Sequence, residues 1–251
     1  MVAITVKHDL DKLKAEMTRI EREQIPFATA KALTKTAQAA QAAVKQEMAS
    51  VFDRPTPFTL NSTFIKTATK TKLEAEVYLK DEGNKGGGSA RVRLEPQLVG
   101  GPRAFKRMEG ALRHAGLLGN SEQAVPGAAA DLDAYGNMSR GQIVQILAYF
   151  KAFPEAGYKA NTTQAKKDKM AKGTKTKQGV RYFLKRDGRG RGIYKATATG
   201  FGSAIQPVLM FVRKAQYKRR LDMPGVVNRT VAREFRDWFK DAMAEAMRSA
   251  Q

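Results

Sequence analysis

The sequence predicts an α+β fold, an antiparallel sheet packed by a long N-terminal helix and a C-terminal helix, with an irregular helical and loop insertion. Three observations predict it. Apolar residues recur at steps of three and four near both ends of the 251-residue chain. Between those ends they alternate with polar residues or run together in short segments. The middle is rich in glycine, proline and alanine.

The elements follow in order. Leu10, Leu13, Met17 and Ile20 mark a first amphipathic helix. Pro26 suits the first turn of a second helix, where its missing N–H would be unpaired anyway. Phe27, Ala30, Leu33, Ala37, Ala40, Val44, Met48 and Val51 then lie on one face of it over about seven turns. That stripe is mostly alanine, which allows close approach but gives little transfer energy per residue. Pro55 and Pro57 end the helix, because the residue before a proline disfavours helical geometry.

Leu73, Ala75, Val77 and Leu79 alternate with Glu74, Glu76, Tyr78 and Lys80, as in a strand with one buried face. Phe64 to Lys70 is its weaker antiparallel partner, with the turn at Thr71-Lys72. Gly86 to Ser89 reads as a loop. A helix is expected from Pro102, with Phe105, Met108 and Leu112 inward and Gly116 as its stop. Residues 119–136 show no regular pattern.

Ser139 and Gln142 form a capping-box pattern ahead of Ile143, Ile146, Leu147 and Phe150. Residues 159–177 are rich in lysine and poor in apolar anchors, so a loop or loosely ordered arm is expected. Val180–Leu184 and Gly192–Ala196 flank Asp187-Gly188, a hairpin turn. Pro207 to Val212, apolar on both faces, reads as a central strand. A last helix begins near Pro224, with Val227, Val231, Phe235, Trp238, Phe239, Ala242 and Ala246 as its stripe.

Composition narrows the function classes. With no cysteine, disulfides and thiolate metal sites are excluded, which fits synthesis in a reducing cytoplasm. The longest apolar run, Ile143 to Phe150, is far short of the roughly 20 residues that span a bilayer, so no membrane is expected. The two histidines, His8 and His114, sit in separate charged stretches and read as surface residues. Asp9 with Asp11, and Asp131 with Asp133, have a cation-binding spacing, but helix-start and turn aspartates explain them as well. Gly188, Gly190 and Gly192 lie within a hairpin, not between a strand and a helix as a phosphate loop requires. No catalytic residue, metal or cofactor is expected, and the chain does not read as an enzyme.

The charge is the sharpest signal. The net formal charge is +21, and residues 151–220 hold nineteen Lys/Arg against Glu155, Asp168 and Asp187, which places +16 of it in that segment. Such a concentration is the footprint of a phosphate-rich or acidic partner. The candidate contact residues are Lys166, Lys167, Lys169, Lys172, Arg186, Arg189, Arg191, Arg213, Lys214, Lys218, Arg219 and Arg220. Tyr158, Tyr182, Phe183, Tyr194 and Tyr217 interleave with the basic residues and have the faces to stack on bases. A DNA contact and a solvated or protein-facing basic surface account equally for this charge.

Four phrases stand in order along the chain: Arg54 to Ser62 (RPTPFTLNS), Gly100 to Arg107 (GGPRAFKR), Ala134 to Ile143 (AYGNMSRGQI) and Pro207 to Val212 (PVLMFV). With Pro26 to Leu33 (PFATAKAL), the set resembles the neck and tail-completion proteins of tailed phages, including the minor tail protein Z family, over residues 5–248. The resemblance implies a tail-completion-like α+β domain over 1–83 and 179–251, with 84–178 as an insertion of extended arms and short helices. It implies a structural virion protein, made in the host bacterial cytoplasm, that forms a six- or twelve-fold homo-oligomeric ring at the head–tail junction or tail end. Its implied partners are copies of itself, portal/connector or tail-tube proteins, and non-specifically the phage DNA. A basic DNA-binding packaging or genome-organising protein is the alternative.

Overall fold

The computed structural model describes residues 17–81, 89–153, 160–199, 202–213 and 216–249. The chain divides into two compact units, 1–94 with 220–251, and 95–219. Among the described residues it is α+β, with seven α-helices and antiparallel sheets, and the long N-terminal helix packs against the C-terminal helix.

In the first unit, α1 (Ile25–Val51) follows a π-helical turn at Ile20–Gln24, with Pro26 in its first turn. Of the first expected helix, Leu10 and Leu13 lie outside the described residues, while Met17 is helical but 62% exposed and Ile20 opens the π-helical turn. Helix α1 pairs with the C-terminal Met223–Ser249 helix through Ala28, Ala242 and Ala246, flanked by Phe27, Phe239 and Met243. Alanine on both sides brings the backbones close, so shape rather than bulk makes this seam. Ala30, Ala37, Ala40, Val44 and Met48 are buried as expected, and Ala32 and Thr36 widen the stripe. The first half of the C-terminal helix is rotated from its expected face, while Ala242 and Ala246 are buried as expected. Val226 and Thr230 are buried, while Val231 is 42% and Trp238 36% exposed.

Phe52 turns extended at the end of α1, and Thr56 Oγ1 accepts from Thr59 N (3.2 Å) to cap the short α2 (Pro57–Leu60). Strands β1 (Thr63–Lys66) and β2 (Glu76–Leu79) pair antiparallel, from Thr63 opposite Leu79 to Lys66 opposite Glu76. The turn between them closes at Thr69 and Lys72, whose backbones exchange hydrogen bonds of 2.9 and 3.2 Å. Gln41 Nε2 on α1 donates to Thr63 O (3.0 Å), tying the ribbon to the helix. Leu73, expected inward, is 46% exposed because the strand begins only at Glu76. Of the Gly86–Ser89 loop, residues 86–88 lie outside the described residues, and residues 90–99, for which no element was expected, form α3 (Ala90–Val99) with Pro96 inside it.

The second unit is built on a four-stranded antiparallel sheet of β4 (Glu122–Pro126), β5 (Val180–Lys185), β6 (Gly192–Thr199) and β7 (Gly202–Arg213). Their order is β4–β7–β6–β5, so β7 is central, as its apolar Pro207–Val212 stretch predicts. The Asp187-Gly188 turn joins β5 to β6, as expected. A Cβ on Gly192 would lie 2.1 Å from Leu209 O, so the close β6–β7 approach requires glycine there. Helices α4 (Arg107–His114) and α5 (Arg140–Tyr149) contribute Leu112, Ile146 and Leu147 to a core shared with Ile193, Val208 and Leu209. Short strands β3 (Gly101–Pro102) and β8 (Gln216–Tyr217) pair beside it.

Three expectations for this unit are corrected. Helix α4 starts at Arg107, not Pro102, which leaves Phe105 outside it, stacked under the Arg113 guanidinium at 3.7 Å. Residues 122–126, expected irregular, form β4 because Gln123 and Ala124 are buried against β7. The lysine-rich 159–177 segment, expected as a loop, contains α6 (Gln164–Lys172). Thr163 Oγ1 caps it by accepting from Lys166 N (3.3 Å), and Met170 anchors it to the core. Ser139 caps α5 as expected, with its Oγ accepting from Gln142 N (3.3 Å). The reciprocal half of the box is replaced: Gln142 Oε1 accepts from Asp131 N (2.8 Å), and its Nε2 donates to Ala129 O (3.2 Å). The strands over 180–213 group with residues 95–179 rather than with the two long helices, so the contact boundaries differ from the 84–178 insertion the resemblance implies.

Candidate functional site

The described basic residues fall into three groups. Lys166, Lys169 and Lys172 are exposed on α6, beside the first half of β5. Arg186 and Arg189 are exposed on the turn that follows β5, and Arg213 is exposed at the end of β7. The β6–β7 register sets Gly192 opposite Met210, so Arg213 and the 186–191 turn share one end of the sheet. Much of the length of β5, a six-residue strand about 20 Å long, separates that end from the α6 group. Lys218, Arg219 and Arg220 are exposed beyond the Gln216–Tyr217 strand, and Lys214 lies outside the described residues.

Arg191 and Lys167 have structural partners. Arg191 Nη1 reaches across the sheet to Glu122 Oε1 (2.8 Å), on the strand beyond β7. Lys167 Nζ sits over the Tyr149 ring, 4.6 Å from its centroid, a cation–π contact that draws it toward the protein.

Beside Lys167 lies a concavity of about 390 Å³ lined by Gln164, Lys167, Asp168 and Ala171 of α6, Arg181, Tyr182 and Phe183 of β5, Ala196 of β6 and Tyr149. Its two cations and aromatic rings suit an anion with a flat apolar portion. Gln164 Nε2 donates to Asp168 Oδ1 (2.9 Å), which occupies the carboxylate in part. Burial pushes the Tyr182 phenol up and the Asp131 charge adds to this, so Tyr182 stays protonated and donates to Gln145 Oε1 (3.1 Å). Tyr194, expected to stack on bases, instead stacks on Phe183 with ring centroids 5.7 Å apart. Tyr158 lies outside the described residues. Arg181, Gln164 and Tyr149 were not singled out from sequence. Arg181 stood inside the basic run without a mark, and Tyr149 looked like an ordinary helix residue.

A largely buried ion pair fastens α4 to β4. Glu109 on α4 is fully buried and accepts a two-pronged bond from Arg103, Nη2 to Oε1 at 2.5 Å and Nη1 to Oε2 at 3.0 Å. Its carboxylate also accepts from Lys106 N (2.7 Å) and Ala124 N (2.8 Å). Burial pushes the Glu109 carboxyl up, but the Arg103 bond and those two backbone N–H groups outweigh it and hold the group below the usual carboxylate range. Arg103 Nη2 returns a bond to Ala124 O (3.3 Å), and buried Gln123 Nε2 donates to Arg103 O (3.0 Å). Every oxygen of this carboxylate is taken by a fixed donor, so the cluster is a clamp on β4 rather than an acid or base.

The other sequence candidates resolve locally. Asp133 Oδ1 accepts from Tyr135 N and Asn137 N, each 2.9 Å, the turn-forming role expected as its alternative, and Asp9 and Asp11 lie outside the described residues. His114 is exposed at the end of α4, and His8 lies outside the described residues. Among the described residues no His, Asp and Glu side chains converge as a metal site, and no helix is long and apolar enough to cross a membrane. The chain matches no known family model, no curated protein and no solved structure.

Proposed function

We propose that the protein is a non-catalytic structural subunit of a tailed-phage particle, forming a ring at the head–tail junction or tail end. The observation that carries this reading is that one compact unit presents two chemically different surfaces. Cationic groups stand at both ends of β5, while the opposite side of the sheet leaves an uncharged strand edge at Gly202–Gln206. A subunit that joins neighbours head-to-tail needs unlike surfaces, one for each neighbour. The ordered phrases that resemble tail-completion proteins fall on structural joints: Thr56 caps α2, Arg103 clamps β4, Ser139 caps α5, and Pro207–Val212 is the central strand. The partners are copies of the chain, portal/connector or tail-tube proteins, and in passing the phage DNA. The test is electron microscopy of particles made without the chain. Heads and tails left unjoined, or tails with defective ends, are expected, and normal infectious particles would discard the reading.

The concavity beside Lys167 and Arg181 favours a second reading, a basic packaging or genome-organising protein. Log K for duplex DNA would then fall steeply with log salt. Replacing Lys166, Lys167, Lys169 and Lys172 by glutamine would abolish function; normal assembly by that variant removes this alternative.

A further inference from the structure

A β-sheet with free edges must close them or expose a row of unpaired backbone donors and acceptors, which is a template for another strand. The edges of the four-stranded sheet differ in how they are closed. On β4, the outer strand on one side, Ala124 N and O are taken by Glu109 and Arg103, and Glu122 O accepts from Arg113 Nη2. On β5, the outer strand on the other side, Arg181 and Lys185 are exposed and α6 packs alongside. Charged side chains of that kind discourage edge pairing.

A third edge exists because β4 is shorter than β7. The β4–β7 pairing runs only from Arg213 back to Leu209, and two further bonds, Gly127 N to Val208 O (2.9 Å) and Ala129 N to Pro207 O (2.8 Å), continue it. Beyond Pro207, residues Gly202 to Gln206 still pair with β6 on their other side. On the β4 side no backbone partner reaches them among the described residues. Alternation in an antiparallel ladder aims every second N–H and C=O of this segment outward. All five residues are exposed, and Ile205, their one large apolar side chain, is 60% exposed.

We infer that this edge takes the same segment of a second copy of the chain, antiparallel, with Ala204 facing Ala204 and Ser203 facing Ile205 across a two-fold axis. Two four-stranded sheets then join into one. The charge distribution singles out the second copy. At +21 the chain repels itself wherever its cationic surfaces meet. From Ala196 to Val212 it carries no charged residue for seventeen positions, longer than any other uncharged run in the sequence. The open edge lies inside that run, so the two facing segments carry no charge themselves, and the nearest cation on the sheet is Lys195, one strand back opposite Gln206. Pro207, which has no N–H to give, sets its inner limit. The inference rests on the proposed assembly role and names the chemistry of one of its contacts. Since a two-fold contact closes on itself, a ring that contains it needs a second, different contact as well.

The chain has no cysteine, so a single introduced thiol reports one position. Ala204→Cys places two thiols on the axis, within disulfide reach. Ser203→Cys places them two residues out of register, beyond it. The full chain, oxidised as a purified protein, is expected to give a covalent dimer at least ten times faster for Ala204→Cys than for Ser203→Cys. Adding Ile205→Lys to the Ala204→Cys chain should slow that dimer at least tenfold with the circular dichroism spectrum unchanged. Equal rates for the two thiols, or no dimer from Ala204→Cys, overturn the inference. Loss of Ile205→Lys from particles while Ala204→Cys fails to cross-link gives the edge to a strand of another protein, and likewise overturns it. The cross-link reads strand pairing alone: if it forms but virions never contain the chain, the pairing stands and the ring reading falls.

Discussion

The two sides of β7 show opposite solutions to one problem. Along Leu209–Arg213 the strand is covered by β4, whose own outer edge is fastened by the Arg103–Glu109 clamp. Along Gly202–Gln206 it is left bare, with small uncharged side chains and an exposed isoleucine. The closed side commits buried charge to hold a short strand in place. The open side pairs with β6 on one flank only and commits no side chain to closing the other. Residues near the clamp therefore belong to stability, and residues at the bare edge are free to serve an encounter with another chain.

That contrast is broken most readily at its closed end. Glu109→Ala strips the buried Arg103 guanidinium of its counter-charge and leaves the Lys106 and Ala124 N–H groups without their acceptor. A loss of about 3–5 kcal/mol in chemical denaturation is expected, as for breaking one partner of a buried pair. A loss below about 1 kcal/mol would mean that the clamp does not hold β4. Leu209→Ala, on the covered half of β7 and fully buried, is expected to cost about 2–5 kcal/mol. Ile205→Ala, on the bare half of the same strand, should leave the midpoint within about 0.5 kcal/mol of the unmutated chain, the usual range for surface changes. Similar costs at positions 205 and 209 would erase the distinction.

The pH dependence sharpens it. Because the folded Glu109 carboxyl lies below its ordinary value near 4.5, the folded state binds fewer protons there than the unfolded chain. Its contribution to stability is therefore complete above the ordinary value and is lost as pH falls through the lowered folded value. Glu109→Gln should flatten this acid limb, and an unchanged limb would assign it to other carboxylates. The smallest effect is expected at the exposed Lys31–Glu245 pair of the helical unit, where replacing Glu245 by glutamine should leave stability unchanged within error at moderate salt.

How much of this was legible in the sequence depended on whether a residue's partner was local. The long helices and the β5–β6 hairpin were readable because periodicity and the Asp187-Gly188 turn act within a few residues. The central strand was readable because Pro207–Val212 is apolar on both faces. Strand β4 was not, because Gln123 and Ala124 become strand through burial against β7, about ninety residues away. Helix α6 was hidden by its lysines, since its one core anchor, Met170, gives no periodic stripe. Arg103 reads locally as one of several outward charges and Glu109 carries no local signal, and only the fold brings them together under β4. The bare edge needs a comparison of strand lengths that no local pattern contains, although its uncharged run was open to counting.

The central claim, that this chain works by fitting into a virus particle, is tested most directly by electron cryomicroscopy of purified virions with the chain located in the density. A single ring layer at the neck or tail end is the result expected. Virions that lack the chain, or that hold it only among the packaged DNA, would contradict it.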